Sequence, residues 1–147
     1  MVPFVALLIG TAVARLVGLA GVHMLDGWQP ALRIGLALMF ALTGSAHFSA
    51  KMHRDMVEMV PPAMPNPELL VIVTGVLELA GAVGLLLPMT ARLAAACLAL
   101  LVLAMFPANV SAARRNLQLG GKPVTPLVPR TIEQIVFVAA AAAVAVW

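Results

Sequence analysis

The sequence contains no tyrosine, one cysteine and only six acidic residues among 147. Each shortage removes a class of protein. A lone cysteine, Cys97, excludes an internal disulfide, a CxxC redox pair and a cysteine-held iron–sulfur or zinc centre within the chain. Inside an apolar run it reads as a small hydrophobe. Charged side chains make up 10% of the residues, against about a quarter in a soluble domain, so the chain cannot cover a water-facing surface. Basic residues and aromatics form no common stripe, which leaves no footprint for nucleic acid. What the chain does have is apolar mass, 63% of its residues, with a mean hydropathy of +1.05. The expectation is an all-α integral membrane protein of one domain, 1–147, whose partner is the lipid bilayer.

Five apolar runs can cross about 30 Å of hydrocarbon: 2–22, 31–50, 68–87, 93–113 and 131–147, the last at the short limit. The first is too long for a cleaved signal and lacks a basic leader, so it is expected to stay as a span. Arg15 interrupts it. Such a charge must either snorkel, here toward His23 and Asp26, or pair with an acid inside the bundle, of which Glu78 is the obvious one. Trp28 follows in a turn, at headgroup level. Lys51–Val60 reads as an amphipathic or continuing helix, stopped by Pro61, Pro62, Pro65 and Pro67. In the third span Thr74, Gly75, Glu78, Gly81 and Ala82 share one face of small residues. Pro107 frees the carbonyl of Leu103, which needs a partner in lipid. Asn109 either serves the backbone nearby or reaches further.

Alternation of the spans puts the N-terminus and segments 51–67 and 111–130 on one side of the membrane, called side A. Lys51, Arg54, Arg114, Arg115, Lys122 and Arg130 lie there. Arg15, Arg33 and Arg92 lie toward side B. Counting basic residues assigns side A to the cytoplasm.

The polar residues inside the apolar runs are not scattered. His47, Asn109, Arg130 and Gln134 all lie near side A ends, with Arg130 and Gln134 four apart on one face. Glu78 lies about ten residues into its span, roughly 15 Å deep at 1.5 Å per residue. These five are the candidate ligand-binding set. His47 exchanges a proton near neutral pH. Glu78, if buried, favours its protonated form unless paired. Arg130 is a fixed charge with a donor fork, and Asn109 and Gln134 are neutral donors and acceptors. Such a set suits a carbonyl-bearing amphiphile such as a quinone headgroup, with His47 and Glu78 the candidates for proton transfer. It also suits helix-to-helix bonding. No HxxxH or HxxE pair occurs, so no metal site is expected.

The order of motifs is more specific than any one of them. Gly44-Ser-Ala-His-Phe, Val60-Pro-Pro-Ala-Met-Pro, Thr74-Gly-Val-Leu-Glu, Leu87-Pro-Met-Thr-Ala-Arg, Phe106-Pro-Ala-Asn and Arg130…Gln134 follow one another. Over about residues 31–140 the chain resembles the DoxX family of small four-helix membrane proteins, in the branch with the Pro-Ala-Asn signature. The resemblance implies a four-helix transmembrane bundle, 31–147, made of spans 31–50, 68–87, 93–113 and 131–147. The N-terminal transmembrane helix, 2–22, is then an addition. The chain departs at Arg130-Thr-Ile-Glu-Gln, which stands where the family has arginine-leucine-proline-leucine-glutamine. Charge and amide remain, and the missing proline predicts a more regular entry of the last span.

DoxX-like proteins are associated with bacterial membrane redox systems, among them a thiosulfate:quinone oxidoreductase. The resemblance therefore implies an accessory subunit of a quinone-linked redox complex in the bacterial inner membrane. With no cysteine pair, haem-type histidine pair or nucleotide loop, the chain would need a redox partner protein. A non-catalytic scaffold subunit is the alternative, and a small-molecule carrier the third. Against the carrier, no inverted repeat is visible.

Overall fold

Proline sets several of the helix boundaries. The computed structural model describes all 147 residues, in six helices: α1 (Val2–Leu19), α2 (Trp28–Ala46), α3 (Ala50–Met59), α4 (Pro67–Leu86), α5 (Ala91–Arg114) and α6 (Leu127–Val146). One 3-10 turn, His23–Leu25, follows α1, and a hairpin of β1 (Gln118–Leu119) and β2 (Lys122–Pro123) precedes α6. Pro3 and Pro67 lie in the first turns of α1 and α4, where an N–H would be unpaired in any case. Val60 precedes Pro61 and takes an extended ψ of 132°, the conformation a following proline demands. That ends α3.

Helices α1, α4, α5 and α6 are each long and apolar enough to cross a membrane. α2 and α3 meet the same measure only together, as a helix bent by 91°. Outward-facing side chains such as Leu8, Val13, Leu100 and Ile135 are more than half exposed, which suits a lipid environment. The hydroxyls of Thr11, Ser45, Thr74 and Thr131 turn back onto carbonyls four residues earlier, at 2.6–2.8 Å. In hydrocarbon a hydroxyl has no water to fall back on.

The packing order is a ring, α2–α4–α5–α6, closed by a smaller contact between α6 and α2. α1 lies outside it, against α2. Gly10 faces Gly35 there, and a Cβ on Gly10 would lie 3.0 Å from the Gly35 Cα. The largest fully buried side chains are Phe40, Leu36, Met39, Leu85, Leu98 and Val144. By their positions along the helices they fill the middle and the side B half of the ring. The side A half is left to the polar residues.

The second expected span, 31–50, ends at Ala46. Ser49 is extended at φ −74°, ψ 124°, and the chain restarts at Ala50 as α3. The reason is amphipathicity: Met56, Val57 and Met59 turn inward while Lys51, Arg54 and Glu58 are exposed, so α3 lies across the bundle end rather than extending from it. The last helix begins at Leu127, four residues before the expected 131, with Pro126 as its N-cap and Pro129 in its first turn.

Arg15 pairs locally. Its Nη1 lies 2.9 Å from Asp26 Oδ1, and the guanidinium sits 5.6 Å from the Trp28 ring centroid. The alternative partner, Glu78, is thereby excluded. Arg33 and Arg92 have a role the charge count does not anticipate. Arg33 donates from Nε to Leu85 O (2.9 Å) and from Nη2 to Leu86 O (3.3 Å), and Arg92 donates to Trp147 O. Both cap helix C-termini, whose carbonyls lack internal donors and carry partial negative charge.

Candidate functional site

The side A end is built from two helix interfaces and a cover. At the α2–α4 interface, α4 turns the stripe Val71, Gly75, Glu78, Ala82 and Leu85 inward. Gly75 makes room for the histidine. A Cβ at Gly75 would lie 2.6 Å from His47 Cβ and 3.1 Å from Phe48 Cε2. Gly44 does the same for α4, since a Cβ there would lie 3.1 Å from Glu78 Cβ and 2.9 Å from Leu79 Cγ. His47 and Glu78 are therefore held on two glycines, and both are buried, at 4% and 3% exposure. His47 Nδ1 lies 2.9 Å from Thr43 O. A carbonyl only accepts, so Nδ1 carries the hydrogen and Nε2 is the ring's other, basic nitrogen. The Thr43 hydroxyl donates to the carbonyls of Met39 (3.2 Å) and Phe40 (3.4 Å). Glu78 Oε2 is buried and has no partner.

At the α5–α6 interface the polar residues bond to one another. Arg130 Nη2 donates to Asn109 Oδ1 (2.8 Å), Asn109 Nδ2 donates to Gln134 Oε1 (3.3 Å), and Gln134 Nε2 donates to Val102 O. Asn109 thus reaches across to α6 instead of serving the backbone nearby. Gln134 meets a carbonyl beside the Pro107 irregularity, one residue before Leu103. Arg130 Nε is buried and has no partner.

α3 and the hairpin cover this end. His53 Nδ1 lies 2.7 Å from His47 O, Arg115 Nη1 donates to Glu58 O (2.7 Å), and Gly120 N donates to Asp55 Oδ2 (2.7 Å). Gly120 and Gly121 have φ of 64° and 81°, the pair of positive values that a tight two-residue hairpin turn requires.

The five candidates thus fall into two groups. Asn109, Arg130 and Gln134 form one hydrogen-bonded chain, and His47 and Glu78 share the neighbouring interface without a direct bond between them. His47, Asn109, Arg130 and Gln134 lie toward the side A ends of their helices, and Glu78 lies deeper, near the middle of α4. Two apolar clefts open elsewhere, one between α4 and α5 and one between α2 and α4, and neither includes any of the five. Thr43, Gly75 and the Val102 carbonyl belong to the site and were not singled out as functional from sequence. The spacing of Thr43 and His47, one helical turn apart on a face that ends at Gly44, is a usable signal for the first.

A family model described as a domain of unknown function, DUF8561, matches residues 36–145. The chain belongs to the DUF8561 family. No curated protein and no solved structure matches it. The DUF8561 match begins within α2, runs into the last turn of α6 and takes in all five candidates. It leaves α1 outside, as the packing does.

Proposed function

We propose that this DUF8561 protein is a DoxX-like accessory subunit of a quinone-linked redox system in a bacterial inner membrane. Its side A end faces the cytoplasm. α2, α4, α5 and α6 are the four-helix core, with α2 crossing the membrane despite its short apolar stretch, and α1 is the addition. The bundle's polar end holds a carbonyl-bearing amphiphile, and electrons come from a partner protein.

One observation carries this reading. Three buried polar atoms lack a hydrogen-bond partner, Glu78 Oε2, Arg130 Nε and Glu133 Oε1; Glu133 Oε1 lies 3.1 Å from the Met1 amino group, which leaves Glu78 Oε2 and Arg130 Nε. Leaving a buried polar atom unpaired costs about 1–3 kcal/mol, more for a charged group, so a persistent pair of them is a reason to expect a third party. A quinone/quinol couple offers both kinds of bond: in the quinone state a carbonyl oxygen would accept from Arg130 Nε–H, and in the quinol state a hydroxyl would donate to Glu78 Oε2. His47 presents Nε2 for a proton, while Asn109 and Gln134 hold Arg130 in place. Purification in mild detergent followed by mass spectrometry of extracted lipophiles tests it. Wild type is expected to retain a quinone that a Glu78→Gln/His47→Ala double variant loses. Equal retention by both, or none by wild type, overturns it.

A second reading has its own support. Asn109 and Gln134 use their amides on each other, on Arg130 and on the backbone, the pattern of polar groups that fasten helices. If the double variant lowers thermal stability in detergent with no ligand to lose, the subunit is a scaffold.

A further inference from the structure

The cleft between α2 and α4 runs along these two helices from the level of Leu79, next to Glu78, toward side B. It measures about 350 Å³ and is lined only by apolar side chains, from Ile34 to Ala41 on α2 and from Leu79 to Leu86 on α4. On each helix the lining residues recur at i, i+3, i+4 and i+7, so the cleft is a groove parallel to the helices, about 10 Å long at 1.5 Å per residue. Ala37 and Ala82 are buried and make its floor. Val83 and Leu86 are more than half exposed and make its wall.

At the side B mouth of this groove stands Arg33. It precedes the first lining residue of α2, and its Nε and Nη2 are held by the carbonyls of Leu85 and Leu86. Those bonds fix the plane of the guanidinium and leave Nη1 with no bond to the protein. Arg33 has no counter-ion. The two ion pairs of the chain are Met1 with Glu133 and Arg15 with Asp26. Asp26 is the one acid near side B, and Arg15 takes it. A fixed cation with no carboxylate partner, met only by the partial charge of the α4 carbonyls, at the mouth of a dry apolar groove is complementary to one class of molecule: an amphiphile with an anionic head and a hydrocarbon tail.

We infer that this groove and Arg33 form a binding site for an anionic glycerophospholipid of the side B leaflet, its phosphate on Arg33 and one acyl chain between α2 and α4. The site is independent of the quinone reading. The lipid completes the charge of a helix-capping arginine and fills the seam between two core helices.

The test is native mass spectrometry of delipidated protein titrated with phosphatidylglycerol or phosphatidylcholine of identical acyl chains. One basic side chain near an anionic headgroup is worth about fivefold in affinity. Wild type is expected to prefer phosphatidylglycerol by about that factor, and Arg33→Gln to lose the preference. Ala41→Phe, which fills the groove and spares the cation, is expected to weaken both lipids, so the proposal stays testable if Arg33→Gln fails to fold. Arg92→Gln, the other arginine capping a helix end at side B, is expected to keep the preference. Inorganic phosphate separates the sources: bound alone it points to a bare anion site and overturns the lipid assignment. Equal binding of the two lipids by wild type, or unchanged binding by Ala41→Phe, also overturns it.

Discussion

Gln134→Leu and Asn109→Ala separate the helix-fastening part of the polar end from the rest. Gln134 makes two bonds across the α5–α6 interface, to Val102 O and from Asn109 Nδ2. Interhelical hydrogen bonds in membranes average about 0.6 kcal/mol each, and leucine fills a similar volume, so Gln134→Leu is expected to cost about 1 kcal/mol. Asn109→Ala removes a bond to Gln134 and the bond from Arg130. The second involves a guanidinium whose Nε is already unpartnered. A hydrogen bond to a charged group is worth roughly 1.5–3 kcal/mol, so Asn109→Ala is expected to cost roughly 2–3.5 kcal/mol in total. The double variant should show a coupling of about 0.6 kcal/mol, the bond the two side chains share. Equilibrium unfolding in mixed dodecylmaltoside–SDS micelles measures all three. If Gln134→Leu costs more than Asn109→Ala, or the two are strictly additive, the hydrogen-bonded chain described here is wrong.

Other substitutions probe the surroundings. Gly75→Val forces a branched side chain onto the His47 ring and is expected to lose about 1–3 kcal/mol by overpacking, read as a lowered melting temperature in detergent. Arg15→Gln should cost less than about 1 kcal/mol, as for other ion pairs with an exposed partner, and a double-mutant cycle with Glu78→Gln should give no coupling. Gly120→Ala with Gly121→Ala strains two residues of positive φ by about 1–2 kcal/mol each. Faster hydrogen exchange of the backbone N–H at position 120, the donor to Asp55, is the expected readout.

Much of the architecture was legible because hydrocarbon is a simple solvent. Long apolar runs mark helices, and proline marks their limits, as at Pro61 and Pro67. The bend at His47–Ser49 was legible only as one of two alternatives, because Lys51–Val60 reads equally as a separate amphipathic helix or a continuation of the span until the amphipathic half has a bundle end to lie on. Arg33 and Arg92 were counted as topological charge, yet a sequence does not say which helix C-terminus an arginine will meet across the fold. Four of the five candidates could be placed at one end, with Glu78 beneath them, by counting residues along alternating spans. Their division into an α5–α6 chain and an α2–α4 pair could not, because it depends on which helices become neighbours. Asn109 shows this most clearly: Pro107 beside it suggested a local duty, and its partners came from α6.

On the proposed function, Glu78 and Arg130 face a ligand rather than each other's helices. Photolabelling with an azido-quinone in native membranes tests it most directly. Adducts are expected on the segments carrying Gly75–Leu79 and Arg130–Gln134, suppressed by unlabelled quinone and lost in Glu78→Gln. Labelling confined to lipid-facing side chains such as Leu100 and Ile135, or labelling that unlabelled quinone does not displace, would contradict it.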